Sequence, residues 1–285
     1  MAAAAVACSD GDEQPLVRAA SPAQRLDARP KQGARDCNPG VHDLTPAAGR
    51  RALLHVTPSV GRRPRALLLA LHGAGSGGAK GGLWIFRDVW QTPGLVIVAP
   101  AAAGVTWSLG STDIDFVDLA LRRAFARCRV DPRRVAVGGF SAGAGLALWL
   151  GLSNGDLFKH VLSLSPGATL PDRRVGKPRV FPAHGTRDRV IPIAQGGDSV
   201  ARLLRADGYL VVYWRFDGGH RVLPELLAAP YAVRFFPDRP VPSGPTRRDI
   251  RSSGASARQR PSRRRGRQSA RKPPRSTRPS RIDQP

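Results

Sequence analysis

Residues 130–152 read VDPRRVAVGGFSAGAGLALWLGL. Arg134–Val137 is a short valine-rich run that predicts a strand, and Ala142–Leu152 is an apolar run of helical length. Between them lies Gly139-Phe140-Ser141-Ala142-Gly143, a G-x-S-x-G pentapeptide. Where this pattern joins a strand to a helix, the serine sits on a sharp turn. A side chain at either glycine would meet neighbouring backbone. The turn lifts the hydroxyl clear of the sheet. It also puts the Ala142 N–H at a helix N-terminus, where it can face a developing negative charge. Ser141 is therefore a candidate nucleophile and Ala142 a candidate donor. Taken alone, the pentapeptide also fits a plain Gly-rich turn.

A serine hydroxyl is a poor nucleophile until a base takes its proton, and a histidine base needs a carboxylate to hold its tautomer. Both partners have downstream candidates. HGTRDRVIP at 184–192 follows the predicted strand Arg179–Ala183 and carries Asp188 just beyond its end. DGGH at 217–220 follows the predicted strand Leu210–Phe216 and carries His220. Separately, each has a plainer reading: a solvated aspartate between two arginines, and a turn histidine. Upstream, LHGAGSGG at 71–78 follows the apolar run RALLLAL at 65–71. Such a loop can supply a second backbone donor. It is not a phosphate loop of the G-x-x-x-x-G-K-[ST] kind, because Lys80 is followed by Gly81-Gly82. His72 is read as shaping this loop. The order loop, Ser, Asp, His, each after a strand, is the chain order of the α/β-hydrolases.

The surrounding pattern fits that order. Arg51–Thr57, Leu95–Ala99 and His160–Leu164 read as further strands. Asp113–Cys128 has helical spacing through Ile114, Val117, Leu121 and Phe125. Ser199–Ala206 and Leu223–Phe236 also read as helices. Strands alternating with helices predict an α/β fold with a mostly parallel sheet flanked by helices. Three zones follow: an irregular lead-in over 1–49, an α/β-hydrolase domain over 50–238, and an Arg/Ser/Pro-rich tail over 239–285. The tail has too few aliphatic residues to offset its ordering entropy and is expected to be disordered.

On LHGAGSGG (71–78), VDPRRVAVGGFSAG (130–143), HGTRDRVIP (184–192) and FDGGH (216–220), the chain resembles the phospholipase/carboxylesterase branch of the α/β-hydrolase serine esterases. It is also similar to polyhydroxybutyrate-depolymerase and feruloyl-esterase-type enzymes. The likeness runs from about Leu53 to Phe236. It implies a catalytic triad of Ser141, Asp188 and His220. It implies backbone oxyanion donors at Ala142 and at Ala74, beside Gly73, and it puts Trp107 near the pocket, with core packing as the alternative for that residue. It implies a small-molecule ester, thioester or lysophospholipid-type substrate, with no cofactor and no metal. The stretch SPGATLPDRRVGKP at 165–178 is too short for a lid domain, and the Gly-rich residues 76–82 are expected to leave the pocket mouth mobile.

The formal net charge is +24, and residues 239–285 hold +13 of it. Arg-rich segments bind phosphate through charge and counterion release. The alternative function is thus a polyanion- or nucleic-acid-binding protein that uses the tail, with an inactive hydrolase-like scaffold. The bland alternative is a solvated extension. The three cysteines, Cys8, Cys37 and Cys128, are odd in number and lack C-x-x-C spacing, which argues against a disulfide framework. Cys128 reads as a small buried hydrophobe. No run approaches the roughly 20 apolar residues of a membrane span. The cytoplasm is the default location. Two other addresses are weighed: the VAC before Ser9 resembles the end of a lipoprotein signal, and an organellar transit peptide is opposed by Asp10, Asp12 and Glu13.

Overall fold

In the computed structural model, residues 25–31, 36–44, 50–59 and 63–223 are described. Eight strands form one sheet: β1 (Gly40–Asp43), β2 (Ala52–Val56), β3 (Arg65–Leu71), β4 (Leu95–Pro100), β5 (Val130–Phe140), β6 (His160–Leu164), β7 (Arg179–Gly185) and β8 (Trp214–Phe216). Their spatial order is β1-β2-β4-β3-β5-β6-β7-β8. The β1–β2 and β2–β4 pairs are antiparallel, and every pair from β4 to β8 is parallel. Four helices join them: α1 (Gly78–Ile85), α2 (Ser111–Arg127), α3 (Ala142–Ser153) and α4 (Gly197–Ala206). This mostly parallel sheet with flanking helices is the α/β-hydrolase architecture that the motif order implies.

The apolar strand runs follow from burial on both faces. All seven residues of β3 are buried, and they alternate. Leu67, Leu69 and Leu71 join Val96, Val98, Val135 and Val137 on the face covered by α2, α3 and α4. Ala66, Leu68 and Ala70 join Ile97, Ala99 and Leu162 on the face covered by α1, Phe86 and Val89. The predicted stripe of α2 packs as expected, with Ile114, Val117, Leu121 and Phe125 all buried.

Several local expectations change. Residues 78–85 form α1 rather than the tail of a mobile loop. Glycine is a poor helix former, and close packing supplies the reason: a β-carbon on Gly82 would lie 2.8 Å from the Ala70 carbonyl oxygen. The strand expected over Leu210–Phe216 is formed only at Trp214–Phe216, with one isolated bridge from Val211 to Val180. It is the last strand of the described sheet, and Leu210 is exposed. The helix expected over Leu223–Phe236 falls outside the described residues from 224 onward, as does the 239–285 tail. Among the described residues, no helix is long and apolar enough to cross a membrane.

The lead-in contributes structure that its composition does not announce. β1 pairs with β2, and residues 25–29 dock on the helical face. Asp118 Oδ1 accepts the N–H groups of Asp27 and Ala28, both at 2.8 Å, and Asn154 Oδ1 accepts that of Leu26 at 2.9 Å. Arg25 and Arg29 both pair with Asp156. Desolvation would raise the Asp156 carboxyl, but the hydrogen bonds and charges of the two guanidiniums outweigh it and hold it at about 2.

The cysteine reading is corrected. Cys37 and Cys128 form a buried disulfide across a sequence separation of 91, with their Cα atoms 4.9 Å apart. Neither spacing nor parity reveals it, because the fold brings Cys37, just before β1, against the C-cap of α2. A cross-link closing so long a loop typically stabilises by about 2–4 kcal/mol. Complete reduction, or Cys37→Ala, is therefore expected to lower Tm by roughly 5–15 °C. Thermal melts with and without dithiothreitol, with thiols counted by mass, check this; equal Tm for oxidised and fully reduced protein overturns it.

Candidate active site

Ser141 ends β5 and opens α3. Its backbone has a positive φ of 54°, with ψ −119°. That conformation costs a non-glycine residue on the order of 1–3 kcal/mol. Its N–H is tied to the Leu164 carbonyl oxygen at 2.9 Å. The flanking glycines are sterically required. A β-carbon on Gly139 would lie 2.3 Å from the Gly143 carbonyl oxygen, and one on Gly143 would lie 2.4 Å from those of Leu71 and His72. Ala142 is the first residue of α3, so its N–H has no intrahelical acceptor. A second strained non-glycine, Ser165 at φ 49°, follows the end of the adjacent β6; nothing in its sequence context signals it.

Asp188 lies beyond the end of β7 with its side chain fully buried. Its Oδ1 accepts the N–H groups of Val190 and Ile191, each at 2.9 Å. Its Oδ2 lies 2.7 Å from His220 Nδ1 and 3.1 Å from His184 Nε2. Burial alone would raise this carboxyl; the Ile191 N–H, the His220 hydrogen bond and the Val190 N–H together hold it below the usual carboxylate range. The anion is thus kept by hydrogen bonds to its charged form.

The loop bearing His220 is packed onto the end of β7. A β-carbon on Gly185 would lie 2.3 Å from the Gly218 carbonyl oxygen and 2.4 Å from that of Gly219. Arg187 N–H donates to Gly218 O at 2.9 Å and Thr186 N–H to Phe216 O at 2.8 Å. The His220 ring tilts against Phe140, the residue before Ser141, with centroids 4.8 Å apart. Asp188 and His220 are therefore joined directly, and His220 is held beside the Ser141 turn. No hydrogen bond links Ser141 to His220 among the described residues.

His184 is a participant that the sequence reading left without a role. Its Nδ1 accepts the Gly197 N–H at 3.0 Å, which leaves the proton on Nε2, 2.9 Å from Ile191 O. The fully buried imidazole thus ties the end of β7 to Ile191 and to Gly197 at the start of α4, both on the segment that follows Asp188. The motif HGTRD contains it, four residues before Asp188, but nothing in the pattern distinguishes it from a core histidine.

On the other side of Ser141, Gly73 packs against Phe140, where a β-carbon would lie 3.1 Å from Cδ1. Ala74 follows, exposed, and Gly75 N–H is anchored to Val105 O at 2.9 Å. His72 is buried. Its Nε2 accepts the Ala102 N–H at 3.0 Å and its Nδ1 lies 2.8 Å from Gly73 O, so it shapes the loop as a neutral ring. Trp107 is largely buried, donates from Nε1 to His72 O at 2.7 Å, and also lines a cleft beside Ser141. Packing and pocket roles thus coincide in this residue. Asp113 sets the loop before it, accepting Ala103 N–H at 2.9 Å, Ser108 N–H at 2.8 Å and the Arg50 guanidinium at 2.5 Å. The cleft measures about 360 Å³, and its other walls include Leu109, Gly145, Leu146, Thr169 and Ile191.

The chain matches no protein-family model and no curated protein. Its fold does match solved structures. Esterase PE8 aligns with TM-score 0.55 and 22% identity over 64% of this chain and 97% of that one. A thermostable esterase aligns with TM-score 0.56 and 17% identity; 69% of this chain is covered but only 62% of that protein. A CE1 ferulic acid esterase from Anaeromyces mucronatus aligns with TM-score 0.54 and 14% identity over 76% of this chain and 94% of that one. These likenesses establish the α/β-hydrolase fold.

Desolvation lowers His72, and desolvation with the nearby His42 charge lowers His55, both below the ordinary imidazole value of 6.5. A histidine kept neutral in the fold is protonated first in the unfolded chain. Its stabilisation is complete above about pH 6.5 and is lost as pH falls toward the folded pKa. Tm is therefore expected to fall between pH 7 and pH 5, with a shallower fall in His72→Gln. Melts across that range check it; a flat profile counts against the neutral rings.

Proposed function

We propose that the chain is a serine esterase that cleaves carboxylic esters through an acyl-enzyme on Ser141. The observation carrying this reading is the buried Asp188–His220 hydrogen bond of 2.7 Å, held by Phe140 against the strained Ser141 turn. His220 Nδ1 faces the carboxylate, which leaves Nε2 as the atom that accepts the Ser141 proton. Ser141 Oγ adds to the ester carbonyl carbon, and the displaced electron pair settles on the oxygen. The Ala142 and Ala74 N–H groups, beside Gly73, are assigned to stabilise that oxyanion. The intermediate collapses, and the leaving alkoxide takes the proton from His220. Water then repeats the sequence and releases the acid. Asp188 stays ionised throughout, orienting His220 and stabilising the imidazolium. Catalytic hydrogen bonds commonly tighten only with substrate bound, and the Ser141–His220 bond is expected to form at that stage.

Esterase structures with this fold support esters over other serine-hydrolase substrates. The cleft favours compact groups. Its volume of about 360 Å³ is at the small end for ligand pockets. At ~30 Å³, the share of liquid volume taken by one water, it holds about twelve water-sized groups, which disfavours the long acyl chain of a lysophospholipid. The Cys37–Cys128 bond favours an oxidising compartment over the cytoplasm.

A fluorophosphonate probe is expected to label Ser141, as mapped by mass spectrometry, and Ser141→Ala to lose at least about 10³-fold in kcat/KM with the fold retained. Labelling elsewhere, or unchanged turnover, overturns the assignment. On a p-nitrophenyl ester series, acyl chains of two to six carbons are expected to exceed dodecanoate by tenfold or more in kcat/KM. Gly145→Val should shift the optimum shorter, because a β-carbon there would lie 3.1 Å from Thr169 Oγ1 inside the cleft. A wild-type preference for dodecanoate would reject the compact-substrate reading while leaving the esterase reading in place.

A further inference from the structure

In a parallel sheet all strands begin at one edge. Opposite the Ser141 turn, the starts of β6 and β7 lie side by side, with His160 in register with Arg179 and with Ala136 of β5. A cleft of about 400 Å³ opens at this edge, lined by Arg133, Lys159, His160, Lys177 and Arg179. No carboxylate is among its lining residues.

Among the described residues, none of the four Lys and Arg side chains of this cleft forms an ion pair with a carboxylate. Lys159 Nζ donates to the carbonyl oxygens of Asp156 at 2.6 Å and Gly155 at 3.4 Å. Lys177 Nζ donates to Asp207 O at 2.6 Å and lies 4.2 Å from the centre of the Tyr209 ring. These partners are neutral. Among the described residues neither the Arg133 nor the Arg179 guanidinium has an ion pair, and Arg179 Nη1 is buried without a hydrogen-bond partner. Three of the neighbouring acids are engaged elsewhere, and Asp172 shares a separate cleft with Lys177. Asp156 holds Arg25 and Arg29, Asp207 pairs with Arg174, and Asp131 Oδ1 accepts the Arg133 backbone N–H at 2.9 Å. Four like charges around one cleft repel one another, and an unsatisfied buried guanidinium N–H is costly. A bound anion relieves both.

We propose that this cleft is an anion site, separate from the Ser141 cleft, for a phosphate group on a compact molecule. Guanidiniums recognise phosphate oxygens through paired N–H donors, and ammonium groups add point charges. The cleft is sized for one phosphate and a small substituent. The proposal does not depend on the esterase reading.

The test uses the full-length chain. Tm is measured with increasing inorganic phosphate, with chloride adjusted to constant ionic strength, and then with glycerol 2-phosphate. Ten millimolar ligand is expected to raise Tm by several degrees. Arg133→Gln/Lys177→Gln, which alters exposed side chains, and Arg179→Gln are each expected to raise the apparent Kd at least tenfold. A larger response to glycerol 2-phosphate identifies a phosphate monoester as the ligand, and a larger response to inorganic phosphate identifies the free ion. No rise in the wild type, or a rise that survives in Arg133→Gln/Lys177→Gln, overturns the proposal; survival would assign the binding to another cationic part of the chain. The circular dichroism spectrum and ligand-free Tm of that double variant should match the wild type and serve as its folding control.

Discussion

A β-carbon on Gly143 would sit 2.4 Å from two carbonyl oxygens, those of Leu71 and His72, and one on Gly139 would sit 2.3 Å from the Gly143 carbonyl. The strand-to-helix turn therefore closes only where two side chains are missing. Closure presses the start of α3 onto the end of β3. That contact fixes the Ala142 N–H at the head of a buried helix and holds Ser141 at a positive φ. The loop after β3 is set by the same contact, since Leu71 and His72 are both its base and the surface against which α3 rests. The candidate nucleophile and candidate donors are thus positioned together.

Parallel strands bring the remaining groups to the same edge. β7 ends in Gly185, whose missing side chain admits the carbonyls of Gly218 and Gly219, and so the loop of His220 lies on the loop of Asp188. An isolated carboxylate at this depth would be protonated or expelled. Here two backbone N–H groups and the His220 ring hold it ionised, while His184 fixes the segment that supplies one of those N–H groups. The burial that makes the anion expensive also makes each of its hydrogen bonds strong. The acid is consequently rigid, and the imidazole bonded to it has one ring nitrogen committed and the other available.

How far these features could be read in advance depends on how local their causes are. A strand buried on both faces reads as a nearly continuous apolar run, so β3 and β6 are found with both ends correct, although Arg65, His160 and Ser163 are buried polar members of them. The turn glycines and the triad candidates are legible because short-range sterics and strand ends dictate them. α1 was not legible, because its three glycines argue against a helix and its packing on β2, β3 and β4 sustains it. Nor was β1, a four-residue strand that is largely exposed and has no alternation to detect. Half-exposed Leu210–Tyr213 read as strand on β-branched and aromatic content, yet the chain there makes only one bridge. His184 and Asp113 act through backbone partners in irregular segments nearby in the chain, Ile191 and Gly197 for one and Ala103 and Ser108 for the other, and no residue pattern encodes such partners.

The same distinction explains why the disulfide and the docked lead-in escaped a local reading. Residues 25–29 bury only Leu26 and Ala28, too short a run to register as a period, and are held also through their backbone, by Asp118 of α2 and by Asn154 just beyond α3. Cys37 then joins the segment's continuation to the C-cap of α2. Two helices of one face are thereby linked at a point far from the sheet edge that carries the site. One of them is α3, whose other end is the Ser141 turn. A helix under strain at its N-terminus can relieve it by sliding or fraying at its C-terminus. Here that end is held by Arg25 on the Ser153 carbonyl at 2.6 Å and by Asn154, whose side-chain amide bonds Leu150 O at 3.0 Å. The segment therefore bears on the site through the helix it restrains: it closes the route by which the strained turn would relax.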